Sequence, residues 1–387
     1  MFLDVTLRRN RALVDYAFEL HQSGAIFPDT YVIDLDAVVE NGSQMIREAQ
    51  KHQVMLFVMT KQHGRNPIVT QELMKLGFHG AVVVDYKEAR VLHQHQIPIG
   101  HIGHLVQIPS GYMDEVIGMN PGFITVYSVE KAREVDEACR KRGRKQNVFL
   151  RIIDDEDVLY PGQYGGFYLN ELNEVIPQIR QLSHIQIAGL TSFPCFLYSD
   201  TEKDIIPTKN VATLKKAKKC LEERLGMEIP HLNLPSATCT STIAKIRANG
   251  GTQGEPGHGL LGSTPMHAKY ELIERPAMVY VSEVSHNLGK KSYCYGGGHY
   301  RRSHLENALV GKSLQSAVRV KAEMSDPHSI DYHIGLNQPL TIGDTVIMAF
   351  RSQVFVTRSD VAVVKGLSSG KPELVGIFDS LGKEIGR

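Results

Sequence analysis

The amino-acid sequence predicts an α/β fold, a (β/α)8 TIM-type barrel followed by a β-rich C-terminal domain. Three observations point there. Between residues 54 and 255, short apolar runs alternate with stretches of helical spacing, the rhythm of repeated βα units. One of these runs, Val54-Met55-Leu56-Phe57-Val58-Met59, holds six apolar residues in succession between Gln53 and Thr60, as a strand buried on both faces of a parallel sheet does. After Arg275-Pro276 the period falls to two and turn residues separate the runs, which marks antiparallel strands.

Taken in order, residues 11–24 have helical spacing through Ala12, Leu13, Tyr16, Ala17 and Leu20, and Tyr31 to Asp36 alternates like a strand. Residues 37–51 then lead as a helix into the run that ends at Lys61. Further barrel strands are predicted at Ala81 to Val84, Ile99 to Leu105, Phe123 to Val126, Val148 to Ile153, Ile185 to Leu190, His231 to Leu234 and around Gly251 to Glu255, which makes eight. Helical patterns lie between them, at Val69 to Leu76, Ser128 to Arg142, Leu169 to Leu182, Thr208 to Arg224 and Ser241 to Asn249. An open doubly wound sheet has the same periodicity. The division that follows is an N-terminal arm and strand over 1–51 that associates with the β domain, a barrel over 52–275, and a β-rich domain over 276–387.

Composition narrows the function. The chain of 387 residues is 42% hydrophobic and 22% charged with a net charge of +1, an ordinary soluble balance. The largest basic cluster, Arg140-Lys141-Arg142-Gly143-Arg144-Lys145, has no aromatic residues among it and reads as a solvated helix end, so no nucleic-acid partner is expected. Met1 to Asn10 lacks the pattern of a secretory signal, and no apolar run reaches the length of a membrane span. Five scattered cysteines without Cys-x-x-Cys spacing point to reduced thiols and a cytoplasmic protein.

Two stretches carry chemistry. Lys61 stands where the apolar run stops, and in a barrel the carboxyl ends of the strands open onto the active-site face. An amine in partly apolar surroundings loses proton affinity and condenses with an aldehyde, although a solvated lysine in a βα loop has the same sequence. The second stretch, Gly250 to Gly262, is dense in glycine after a late barrel strand. It is either a surface loop or a backbone cradle for an anion, and barrels commonly place phosphate sites there. His93, His95, His101 and His104 straddle a helix end, Pro98 and a strand, so they read as solvated or hydrogen-bonded side chains and no metal site is expected.

Lys61 after the first barrel strand, the glycine-rich run after the last, and the β domain together resemble the fold-type III pyridoxal-phosphate-dependent enzymes, the alanine racemase N-terminal-domain family, and within them the YhfX-type branch. Thr60-Lys61 is similar to the family's cofactor lysine, Tyr31 to Asn41 to its entry strand and helix, Asp85 to Ala89 to the stretch after its second strand, and Arg275 to Gly296 to its crossing into the C-terminal domain. The resemblance implies pyridoxal 5'-phosphate joined to Lys61 as a Schiff base, with Ser236, Gly257 and His258 at its phosphate and Glu255 opposite its pyridine nitrogen. Alanine racemases carry arginine at that last position, whereas Glu255-Pro256-Gly257-His258 resembles a Glu-Pro-Gly-Arg run of the basic-amino-acid decarboxylases. The difference is chemical, because a carboxylate favours the protonated ring nitrogen and so the stronger electron sink.

Other departures from the pattern turn the expectation away from alanine as substrate. The arginine of the family's Gly-x-Gly-Arg-x-Gly stretch is missing from Pro161 to Phe167, and the histidine under the cofactor ring falls near Ser192. Phe350 to Phe355 lacks the Pro-x-His-x-Cys run of the zinc-dependent lyases. Gly298-His299-Tyr300-Arg301-Arg302 is either a β-domain loop or a source of cations for a carboxylate substrate.

The resemblance implies an amino-acid racemase acting at the α-carbon of an amino acid or amine, with Lys61 as one acid/base and Tyr295, or Cys294 in reserve, as the second. A lyase, decarboxylating or eliminating, and a non-catalytic pyridoxal-phosphate carrier are the alternatives. A homodimer with shared active sites is implied as well.

Overall fold

The structure is a computed structural model and describes residues 1–324, 326 and 328–386. The chain divides into two compact units, one built from Met45–Thr60 and Leu73–Gly257, the other from Met1–Gln44, Lys61–Glu72 and His258–Arg387.

The first unit is the barrel. Its strands are Met55–Leu56 continued as Val58–Met59, then Ala81–Val82, Ile99–Ile102, Phe123–Val126, Gln146–Ile153, Ile185–Thr191, His231–Asn233 and Gln253–Gly254, with Phe167–Tyr168 as an extra pair to Gln146–Ile153. Every pairing among these strands is parallel. Gln253–Gly254 pairs Met55–Leu56, while Val58–Met59 pairs Ala81–Val82, so the two halves of the lysine strand close the ring. A closed ring excludes the open doubly wound sheet. The eight strand positions are those predicted from the sequence.

Glycine makes room inside the ring. A Cβ on Gly100 would stand 2.3 Å from the Phe57 ring, and one on Gly189 would stand 2.5 Å from Phe149, so these strands admit aromatic rings that any larger residue would expel. Outside, Val129–Lys141 shows how a helix is specified: Ser128 accepts from Lys131 N at 3.2 Å as its cap, and Val129, Ala132, Val135 and Cys139 recur on the buried face.

The second unit holds a nine-stranded sheet in the order Lys291–Tyr295, His333–Leu336, Val318–Glu323, Asn307–Gly311, Thr345–Met348, Met278–Leu288, Thr30–Asp34, Asp360–Lys365 and Glu373–Phe378. Its pairings are antiparallel except that Thr30–Asp34 runs parallel to Asp360–Lys365. Helices Phe2–Arg9 and Arg11–Gln22 pack Leu13, Val14, Ala17 and Phe18 against Val32, Val279, Val281 and Ile347 of that sheet. Asn10 between the helices caps the second through Leu13 N and donates to Asp34 and to Pro276 O, both at 2.8 Å. Among the described residues no helix is long and apolar enough to cross a membrane, and all five cysteines are free.

Candidate active site

Parallel strands bring their carboxyl ends to one face, and in the barrel unit that end is lined with buried polar groups: His101, Thr125, Arg151, Thr191, Asn233 and Glu255. Glu255, one residue past Gln253–Gly254, is their centre. Its Oε1 lies 2.9 Å from Nδ1 of His101 and accepts from Nδ2 of Asn233 at 2.7 Å, and its backbone N–H donates to Thr238 Oγ1 at 3.2 Å. Nε2 of His101 lies 2.6 Å from Thr125 Oγ1. The imidazole is set by the ring of Phe149, edge-on at 5.3 Å, and by His104, stacked at 5.2 Å.

Burial by itself would raise the proton affinity of Glu255, but the charge of His104 and the charge and hydrogen bond of His101 outweigh it, and the carboxyl is pulled down to about 2. With the carboxylate ionised, Nδ1 of His101 donates to it, and Nε2 is held by the Thr125 hydroxyl, which can either donate or accept. Oε2 of Glu255 has no hydrogen bond to any described residue.

Arg151, in the middle of Gln146–Ile153, is only 1% exposed. It donates to Tyr127 Oη at 2.7 Å and to Gln163 O at 2.8 Å, with Tyr127 also under its guanidinium at 5.0 Å. No carboxylate among the described residues pairs with it, and its buried Nε has no hydrogen-bond partner. A buried cation without a counter-ion is costly unless an anion joins it.

After His231–Asn233 the chain passes through Ser236 and Ala237, at φ 91° and 51°, and then enters helix Thr240–Ala248. Left-handed turns of this kind let successive N–H groups face one point. None of the backbone N–H groups of Ser236, Ala237 and Thr238 donates to another described residue. The Ser236 hydroxyl itself donates to Phe196 O at 2.8 Å. Gly257 likewise keeps its N–H uncommitted, one residue beyond Pro256, whose carbonyl accepts from Met59 N at 2.9 Å.

In the sheet unit, Lys61 begins the turn Lys61–His63, pinned where Ser352 Oγ donates to Gln62 O at 3.0 Å. The fully buried His63 is lowered by desolvation to about 3 and stays neutral, 3.1 Å from Thr70 Oγ1. His258 is also neutral: burial first, then the charges of Arg351 and Lys61, hold its imidazole well below the usual range. Its Nδ1 lies 3.0 Å from Ser263 Oγ, and its buried Nε2 has no partner among the described residues.

Tyr295 and Cys294 end strand Lys291–Tyr295 and point to opposite faces. Tyr295 is 39% exposed, opposite His333 in register, whereas Cys294 is buried and its thiol is pushed up to about 12 by desolvation. An acid that weak transfers no proton near neutrality.

The structure thus groups Glu255, Gly257 and Ser236 in the barrel unit, and Lys61 with His258, Tyr295 and Cys294 in the sheet unit. The first half of the glycine-rich stretch departs from the anion-loop expectation. Gly250 and Gly251 precede their strand, and a Cβ on Gly251 would meet Ile246 at 2.6 Å and Leu234 at 2.7 Å, so close packing accounts for that glycine. Sequence reasoning missed His101 as the partner of Glu255, and it missed Arg151. Each had a signal, since one polar residue interrupts an otherwise apolar barrel strand in Ile99-Gly100-His101-Ile102 and in Val148-Phe149-Leu150-Arg151-Ile152.

Comparison with known proteins agrees with this architecture. Residues 33–265 match the family described as alanine racemase, N-terminal domain, and residues 279–374 match the YhfX-like, C-terminal domain. The chain is 43% identical over 387 residues, 100% of both chains, to the Escherichia coli (strain K12) protein named Uncharacterized protein YhfX. The solved structure of D-threonine aldolase from Filomicrobium marinum is similar at a TM-score of 0.69 and 16% identity, covering 92% of this chain and 95% of that one. Alanine racemase from Clostridium difficile 630, in complex with cycloserine, is similar at a TM-score of 0.64 and 19% identity, covering 91% and 98%. At such identities the likeness is one of fold.

Proposed function

This chain belongs to the alanine racemase N-terminal-domain family, whose members depend on pyridoxal phosphate, and on that premise we propose that it is an amino-acid racemase with Lys61 as its cofactor lysine. The observation that carries the reading is the set of uncommitted polar groups at the carboxyl ends of the barrel strands. Oε2 of Glu255 suits a protonated ring nitrogen, the guanidinium of Arg151 suits an anionic oxygen, and the free N–H groups of Ser236, Ala237, Thr238 and Gly257 suit a phosphate. His258, kept neutral, can donate through Nε2. The barrel-unit groups fit the ring and phosphate of the cofactor, and the resemblance adds His258 at the phosphate.

When bound, the cofactor supplies an aldehyde that links to amines and a ring that withdraws the electron pair left on an α-carbon. The remaining work falls to side chains. Nζ of Lys61 takes the α-proton on one face, and the Tyr295 hydroxyl delivers a proton on the other. Tyr295 is the better second acid of the candidate pair, because its side chain reaches solvent while that of Cys294 does not. Its exposure leaves it available to a second copy of the chain, which is how a two-fold dimer would share its sites. The buried Arg151 and, from the sequence, the exposed Arg301-Arg302 segment are the candidate cations for a substrate carboxylate.

One observation favours a second reading. A glutamate held ionised, rather than an arginine, stands at the position proposed to face the ring nitrogen, which supports decarboxylation or elimination as much as racemisation. The test is incubation of the purified protein with single D- and L-amino acids in heavy water. Loss of the α-proton signal with formation of the mirror-image amino acid, absent in Lys61→Ala, is expected. Release of carbon dioxide or a keto acid without the mirror-image product makes the enzyme a lyase, and no change with any amino acid removes the catalytic reading.

A further inference from the structure

We propose that His101 is a positioning residue, which holds one oxygen of Glu255 so that the other is presented to the ring nitrogen of the cofactor. The proposal deepens the function above and rests on Glu255 facing that nitrogen.

The geometry is specific. A free carboxylate can rotate and offer either oxygen, but here Oε1 is committed twice, to His101 Nδ1 at 2.9 Å and Asn233 Nδ2 at 2.7 Å, and Oε2 to no described residue. The imidazole is in turn committed at both nitrogens, and its plane is fixed between Phe149 and His104. Three separate barrel strands, Ile99–Ile102, Phe123–Val126 and His231–Asn233, therefore supply the groups that set the orientation of one carboxylate. Asn233 does so as a neutral amide and is itself anchored to Thr191 Oγ1 at 3.3 Å. His101 adds what Asn233 cannot, since an imidazole can carry a positive charge beside the carboxylate.

The arrangement also tolerates a change of charge. If the imidazole gains a proton, Nε2 donates to Thr125 Oγ1 instead of accepting, and the bond to Glu255 survives. The side chain is thus equipped to keep Glu255 in one orientation whether or not a ring nitrogen is present.

The experiment loads wild-type protein, Glu255→Gln, His101→Gln and Thr125→Val with pyridoxal phosphate carrying nitrogen-15 in the ring. It reads the ring-nitrogen chemical shift and the cofactor dissociation constant, with melting curves as folding controls. The expectation is that Glu255→Gln moves the shift to that of an unprotonated ring. His101→Gln should move it part of the way and weaken cofactor binding by about ten- to a hundredfold, as loss of a hydrogen bond to a charged group does. Thr125→Val, which frees Nε2 without removing the imidazole, should act in the same direction and by less.

A shift that moves in Glu255→Gln but stays in place in both His101→Gln and Thr125→Val would leave His101 as mere packing and overturn the proposal. A shift that stays in place in Glu255→Gln as well would remove Glu255 from the ring nitrogen and take both readings down. If His101→Gln does not fold, Thr125→Val decides.

Discussion

Glu255 in the barrel unit and Asp29 in the sheet unit are both largely buried carboxyls, and they respond to burial in opposite ways. Glu255 is pulled down to about 2, whereas Asp29 is pushed up to about 6. Desolvation is the largest influence on each and raises both. What differs is the company. Glu255 lies against two imidazoles and an amide inside a ring of strands. Asp29 accepts two neutral hydroxyls, from Ser359 and from Tyr280 at 2.9 Å, and its cation, Arg358, stands 4.0 Å away and half exposed, with Asp331 opposing it. Hydroxyls satisfy lone pairs without balancing charge, so burial wins at Asp29 and loses at Glu255.

The largest effect is expected from removing Glu255. Glu255→Ala leaves His101 and Asn233 with buried donors and no acceptor, and breaking a buried pair in this way costs about 3–5 kcal/mol. Urea unfolding at pH 7 measures it. A loss below about 1 kcal/mol would mean that the barrel end rearranges, and the contrast with Asp29 would not hold.

Asp29→Asn should do the reverse near neutrality. The folded chain holds the Asp29 proton more tightly than the unfolded chain does, so stability falls as pH rises from about 4 to about 6 and is level above, a loss of about 3 kcal/mol. The asparagine variant lacks that fall, and at pH 8 it gains up to that amount, less what its altered hydrogen bonds forfeit. Glu255 has the opposite sign: the unfolded chain holds its proton more tightly, so its contribution is complete above about 4.5 and is lost as pH falls toward about 2. Stability against pH for wild type and Asp29→Asn, subtracted, isolates the Asp29 share; a difference curve that is flat between pH 4 and 6 would sink the assignment.

Tyr280→Phe is a smaller change. It removes the hydroxyl that donates to Asp29 Oδ1, which should raise the carboxyl further and cost about 1 kcal/mol at pH 7. The cost should shrink at pH 5, where Asp29 is already protonated in the folded chain. An equal loss at both pH values would mean that the ring, packed 5.0 Å from Tyr31, matters through its shape and not through its hydroxyl.

The same contrast explains what was legible in the sequence. Barrel strands read correctly because strands buried on both faces leave continuous apolar runs, a local signal. Glu255 was also local, standing in a Glu-Pro-Gly-His run. Its partners were not. His101 lies 154 residues away, and nothing in its own neighbourhood says that a closing ring will bring it to Glu255. The histidines of that segment read as one group, yet His93 and His95 are exposed while His101 and His104 are buried, a division set by which strand end each occupies. Arg151 went unread because a cation was sought in the glycine stretch at Pro161 to Phe167, while the buried arginine stands within the strand Gln146–Ile153. Asp29 carried no signal, since its high proton affinity comes from burial, and the Ser359 and Tyr280 hydroxyls that partly offset that burial are brought beside it only by the sheet. Helix Phe2–Arg9 went unread too, with β-branched Val5 and Thr6 weakening its local preference.

The smallest effect, and the finest probe of the comparison, concerns salt. Arg358 is half exposed, so its attraction for Asp29 passes partly through water, and pairs of that kind contribute about 0.2–1 kcal/mol. Arg358→Gln should therefore raise the Asp29 carboxyl only slightly, and the change should fade as ionic strength approaches 1 M, where screening acts within about 3 Å. The imidazoles beside Glu255 are buried, and counter-ions cannot enter between them. The difference in stability between wild type and Glu255→Gln should accordingly stay level from low to high salt. Titration of both pairs of proteins across ionic strength separates the cases. If the Arg358 effect persists at high salt, or the Glu255 effect fades with it, then the two carboxyls share one dielectric environment, and the identity of their neighbours rather than solvent access would separate them.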